Sequence, residues 1–96
     1  MTAHIFISGF VQGVGFRQFI KRQARELGIT GWVRNTQDNR AEAIFQSLES
    51  SEKSAKEKIE KMIAYCRKGP FLAEVKDVLV TWETAQNRFE DFKIKA

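Results

Sequence analysis

Apolar and polar positions along the chain switch between a period of two and a helical period of about 3.6 residues. His4 to Phe10 (His-Ile-Phe-Ile-Ser-Gly-Phe) is rich in β-branched and aromatic residues and predicts a strand. Gly9, Gly13 and Gly15 then punctuate a loop. From Phe16 the period changes. Phe16, Phe19, Ile20, Ala24 and Leu27 recur at helical spacing, with Lys21, Arg22, Arg25 and Glu26 between them, and Gly28 predicts the stop. Ile29 to Asn35 predicts a second strand, Thr36-Gln37-Asp38-Asn39 a turn, and Ala41 to Gln46 a third strand pairing back as a hairpin. Ser50 or Ser51 can cap a second helix, whose apolar stripe is Ala55, Ile59, Met62, Ile63 and Cys66. Its other face is a solvated Lys/Glu run from 52 to 61, with Glu57 and Lys61 spaced to pair across one turn. Gly69-Pro70 ends it. Residues 74–84 alternate, with Val78, Val80 and Trp82 on one face, and Phe92 and Ile94 predict a last short strand.

The order β-α-β-β-α-β predicts an α+β, ferredoxin-like sandwich: one antiparallel sheet, two helices packed on one face, and a short C-terminal edge strand. No repeat, linker or low-complexity tract interrupts it, so residues 1–96 are expected to form a single stand-alone domain. Trp32, Trp82 and the phenylalanines are assigned to the core, and Cys66 is read as a small buried hydrophobe.

Composition narrows the function classes. Apolar residues make up 43% and charged residues 29% of the 96, with eight Phe and two Trp, which excludes disorder. No 18-residue apolar run exists, so no membrane helix is expected. No Lys or Arg precedes Ile5-Phe6-Ile7, so the start does not read as a secretory signal, and the cytoplasm is the default compartment. Cys66 is the only cysteine and His4 the only histidine, so no zinc cluster and no internal disulfide can form. His4 lies at the outer end of the first strand and is read as a surface or core residue rather than a catalytic one.

The net charge of +4 is unevenly placed. Residues 1–40 hold six bases (Arg17, Lys21, Arg22, Arg25, Arg34, Arg40) against Glu26 and Asp38, whereas residues 41–96 hold ten of each sign. Two readings stand: a solvated helix face with extra bases, or a positive field around an anion site.

The stretch Gly9-Phe10-Val11-Gln12-Gly13-Val14-Gly15-Phe16-Arg17 carries the candidate chemistry. A helix N-terminus leaves backbone N–H groups unpaired and partially positive, and glycines before it let those groups turn inward as a nest for phosphate or carboxylate. Gly13-Val14-Gly15 is neither a dinucleotide fingerprint nor a Walker loop, because Gln18 stands at the third glycine position and no Gly-Lys-Ser/Thr follows. Arg17 opposes the helix dipole in the first turn, at roughly 0.3–1 kcal/mol. A bound anion would offset this; the other reading has Arg17 in solvent or paired with a carboxylate. Asn35 before the turn either bonds its own backbone or, if the ends of the first two strands meet in space, orients a water.

At these residues the sequence resembles the acylphosphatase family. Gly9-x-Val11-Gln12-Gly13-Val14-Gly15-Phe16-Arg17 follows that family's first signature, and Gly31-Trp32-Val33-Arg34-Asn35 with Asp38 follows the second. Lys68-Gly69-Pro70, Ala73, Val75, Val78 and the closing Phe92-x-Ile94 also match, so the resemblance spans the chain. Asn39 and Ser47 stand where the family usually has Gly, and Ala41 where it usually has Val. The resemblance implies hydrolysis of an acyl phosphate to a carboxylate and inorganic phosphate, without metal or cofactor. It implies that Arg17 and the loop Gln12, Gly13, Val14, Gly15 and Phe16 bind the phosphoryl group, and that Arg17 and Asn35 are catalytic, Asn35 holding the attacking water. The expected partners are the small-molecule acyl phosphate and phosphate or other anions; the expected state is a monomer.

Two other classes compete. Sheets of this kind host RNA-binding domains, but Ala41-Glu42-Ala43-Ile44-Phe45-Gln46 lacks the basic, Gly-aromatic pattern such binding needs, so no nucleic-acid partner is expected. The second is an anion-sensing domain that keeps the cradle without turnover.

Overall fold

The computed structural model describes residues 1–84 and 87–96. Along the chain it places β1 (Thr2–Phe10), α1 (Phe16–Leu27), β2 (Thr30–Asn35), β3 (Ala41–Gln46), α2 (Glu52–Lys68), β4 (Glu74–Glu83) and β5 (Phe92–Ile94). The glycine expected to stop α1 does so: the Gly28 N–H donates to Ala24 and Arg25 carbonyls. Of the two candidate caps of α2, Ser51 is the one used, its Oγ accepting from the Ser54 N–H at 3.3 Å. Among the described residues Glu57 and Lys61 form no ion pair; on that helix Lys58 pairs with Glu49 instead.

The strands make one sheet in the order β4-β1-β3-β2-β5. β1 is antiparallel to β3 and β4, and β2 is antiparallel to β3. The expected antiparallel sheet holds for these four strands; β5 runs parallel to β2 and makes the whole sheet mixed. The reason lies in the connection after β4. Gln46 binds it at one end of the sheet, donating from Nε2 to the Asn87 carbonyl at 2.6 Å and accepting from the Phe89 N–H at 3.0 Å. A strand that starts at that end can only run in the direction of β2.

Both helices cover one face, as expected. Ala3, Ile5 and Ile7 of β1, with Val33, Ala43 and Phe45, pack against Phe16, Ile20 and Ala24 of α1 and Ile59, Met62 and Cys66 of α2. Burying each large side chain contributes about 1.5–3 kcal/mol. Burial pushes the Cys66 thiol far up, so it stays protonated and inert, as a buried hydrophobe should.

The assignment of every Trp and Phe to the core is corrected. Phe10, Phe71 and Trp82 are exposed, Phe71 completely. β4 is a sheet edge with one neighbour, so Trp82 is covered only along the flank of α2, where the Lys56 ammonium lies 5.6 Å from the ring centre and Glu60, Ile63, Ala64 and Arg67 line an open groove beside it. Trp32 lies on the helix-free face, half-buried, with Lys95 and Arg34 cations at 4.4 and 5.7 Å from its ring. On the same face Glu42 is buried and accepts hydrogen bonds from Arg34 Nε at 2.7 Å and His4 Nε2 at 2.6 Å. His4 is thus a structural partner, in line with its reading as non-catalytic.

Candidate active site

β1 and β2 point the same way because each is antiparallel to β3, which lies between them. Their C-terminal ends therefore share one end of the sheet, two strand spacings or about 10 Å apart. The loop after β1 and Asn35 at the end of β2 meet there. β5 arrives alongside β2, with Ile94 paired to Val33, and brings a third wall. The result is a cleft of about 190 Å³ lined by Val11, Gly13, Gly15, Phe16, Arg17, Gln18, Asn35 and Ile94.

The cleft floor is the open start of α1. Gly13 and Gly15 have φ of +74° and +78°, a left-handed backbone that side chains disfavour and that turns successive N–H groups to one side. Gly15 caps α1 with no side-chain oxygen, and the first turn holds no acidic residue. The first helical bond runs from the Phe19 N–H to the Gly15 carbonyl at 3.1 Å. Among the described residues, no acceptor meets the backbone N–H groups of Gln12 to Gln18. Nor does any carboxylate pair with Arg17 among the described residues, which removes the ion-pair reading of that side chain. Opposite, Asn35 Oδ1 is buried and has no hydrogen-bond partner. Unsatisfied buried polar atoms are uncommon and ask for a reason.

Of the residues singled out from the sequence, Gly13, Gly15, Phe16, Arg17 and Asn35 line this cleft, whereas Gln12 and Val14 do not. The Val14 side chain packs on the core, and the Gln12 side chain turns to the β2–β3 turn. Val11, Gln18 and Ile94 also line the cleft, although none of them is among the expected site residues. Val11 lies inside the signature and Gln18 directly follows it, so both could have been read from it. No local signal marks Ile94, which arrives through the parallel pairing of β5. Larger grooves of about 560 and 590 Å³ flank Trp32 on the helix-free side, but neither meets unpaired backbone donors of a helix start.

The sequence pattern of the family described as Acylphosphatase matches residues 3–94. The chain belongs to the acylphosphatase family. An acylphosphatase of Roseiflexus sp. (strain RS-1) is 46% identical over 92 residues, covering 96% of this chain and 91% of the relative. One from Pelotomaculum thermopropionicum is 41% identical over 92 residues, covering 96% and 92%. The crystal structure of acylphosphatase from Bacillus subtilis superposes with a TM-score of 0.86 at 28% identity, over 99% of this chain and 98% of that one. The ferredoxin-like expectation and the family resemblance are both borne out. No helix among the described residues is long and apolar enough to cross a membrane.

Proposed function

We propose that the cleft between the β1–α1 loop and Asn35 is the place where this acylphosphatase-family chain, a hydrolase of acyl phosphates, carries out its reaction. The backbone N–H groups of Gln12 to Arg17 and the Arg17 guanidinium hold the phosphoryl oxygens. Asn35 holds a water in line with the leaving carboxylate. The water oxygen bonds to phosphorus as the phosphorus–oxygen bond to the acyl group breaks, and that electron pair leaves with the carboxylate. The water's proton passes to a phosphoryl oxygen. The products are a carboxylate and inorganic phosphate.

Phosphoryl transfer needs mainly positioning and stabilisation of equatorial oxygens, which unpaired donors and a guanidinium supply. A carboxylate leaves readily, so no strong general acid is required. The observation that carries the reading is the pairing of two deficits across one cleft: N–H donors without acceptors on one side, and the buried, partnerless Asn35 Oδ1 on the other. A phosphate and a water satisfy both.

The reaction proposed needs no metal or cofactor. Among the described residues, no group of three His, Cys, Asp or Glu is placed to hold a metal. The protein is proposed to act in the cytoplasm as a monomer, on a small molecule rather than a nucleic acid. In support, the Trp32 and Phe6 rings on the helix-free face are occupied by the protein's own cations, Arg40 lying 4.4 Å from the Phe6 ring centre. Release of benzoate from benzoyl phosphate, with a chelator present, tests the activity. Chelator-insensitive hydrolysis is expected. Phosphate binding by a folded protein with no hydrolysis would leave an anion-sensing domain instead.

A further inference from the structure

The Gln12 side chain reaches the β2–β3 turn, where Nε2 donates to the Thr36 carbonyl at 2.9 Å and to the Arg40 carbonyl at 3.1 Å. These carbonyls stand at the two ends of the turn. Within the turn the Thr36 carbonyl accepts from the Asn39 N–H at 3.3 Å, and the Arg40 carbonyl from the Thr36 N–H at 2.8 Å and from Thr36 Oγ1 at 3.1 Å. A carbonyl offers two lone pairs and a primary amide two protons. Gln12 therefore takes the second acceptor site of the Thr36 carbonyl and adds a further donor at the Arg40 carbonyl. The amide orientation is forced, because an oxygen placed there would face two acceptors. Among the described residues these are the only hydrogen bonds joining the stretch 11–15 to the stretch 36–40.

β1 and β2 do not touch; β3 separates them. Without Gln12, no hydrogen bond among the described residues would join the turn after Asn35 to the phosphate loop, and their relative placement would rest on two strand ladders and on apolar packing of α1 against β2. Asn35 immediately precedes Thr36, so a clamp on Thr36 acts one peptide away from the amide that faces the cleft.

We infer that Gln12 is a positioning residue for the hydrolysis: by clamping the Thr36–Arg40 turn to the loop, it fixes the Asn35 amide relative to the phosphate cradle. This rests on the reading of Asn35 as the group that orients water. The Gln12 side chain touches neither phosphate nor water in this scheme; the Gln12 backbone N–H remains part of the cradle.

The test is steady-state hydrolysis of benzoyl phosphate, with inorganic phosphate as the competing ligand, on variants whose folding is checked by circular dichroism. Gln12→Met keeps length and volume but removes both donors. Misplacement by about 1 Å costs on the order of a hundredfold, so kcat should fall roughly ten- to a hundredfold. The phosphate inhibition constant should stay within about threefold. In an Asn35→Ala background the same change should have little further effect, since residues acting through one another are not additive. Gln12→Glu adds a readout that a merely structural role would not move. Its carboxylate repels both carbonyls, whereas its protonated form regains one donor. Its kcat relative to wild type should rise as pH falls through about 4–5, while that of Gln12→Met stays flat. If Gln12→Met does not fold, this pH ratio carries the test.

Unchanged kcat, phosphate binding lost in step with kcat, effects that add to those of Asn35→Ala, or a flat Gln12→Glu ratio would each overturn the inference. Asn35→Ala with unchanged kcat would overturn the water-orienting reading itself, and the inference with it.

Discussion

Gly69 lies so close to Phe16 that a β-carbon on it would stand 2.9 Å from the ring carbon Cε2. Phe16 opens α1 and lines the cleft, so the segment entering β4 buttresses the phosphate loop from behind. Gly69 also has a φ of +69°, in the left-handed region. Gly69→Ala combines backbone strain with overpacking and should destabilise the fold by about 1–3 kcal/mol. Urea denaturation with an unchanged m-value would register it. A variant of wild-type stability would show that the Phe16 ring yields freely.

The two sides of the cleft should separate kinetically. Arg17→Ala removes a charge-assisted contact worth about 1.5–3 kcal/mol, so phosphate affinity should drop roughly ten- to a hundredfold and turnover with it. Asn35→Ala should lower kcat while phosphate still binds. Isothermal titration with phosphate beside benzoyl phosphate kinetics distinguishes them. Phosphate bound by Arg17→Ala as tightly as by wild type would remove Arg17 from the cradle.

Glu42 gives an acid limb to stability. Burial opposes its charge, but hydrogen bonds from His4 and Arg34 outweigh burial and hold its carboxyl below the ordinary range. A carboxylate depressed in the folded state contributes stability above its unfolded pKa, near 4.3, and loses that contribution as pH falls through the folded value. Denaturation midpoints from about pH 6 down to about pH 3 should fall more steeply for wild type than for Glu42→Gln. Parallel curves would show that Glu42 is not the group responsible.

Asn39 is the only non-glycine residue among those described with a positive φ, at +67°. It occupies the place where the family usually carries Gly, and the left-handed turn survives. Asn39→Ala should cost about 1 kcal/mol, and Asn39→Gly should stay within roughly 0.5 kcal/mol of wild type, lost strain being offset by chain entropy. Thermal melts of the two variants check the order; Asn39→Ala melting with wild type would disprove the strain.

Features set by a few neighbouring residues were legible in the chain itself. The Gly28 stop, the Ser51 cap, the Asn39 turn and the helix beginning at Phe16 each depend on contacts within about four positions. The loop and Arg17 stand out for the same reason: a cation in a first turn without an acid conflicts locally with the helix dipole. The family signatures carried the fold further than periodicity alone, because they mark positions distant in sequence.

Sheet order decided the rest. That Asn35 faces the α1 start follows from β1 and β2 sharing a direction with β3 between them, a relation no single segment encodes. Ile94 joins the cleft only because the chain re-enters beside β2. Gln12 looks, in sequence, like one more loop residue; only the fold brings Thr36 and Arg40 within reach of its amide. Trp82 reads as core by alternation, yet β4 ends at an unprotected edge. Alternation tells which side of a strand a residue takes, but not whether anything packs there, and that depends on neighbours supplied by the whole chain.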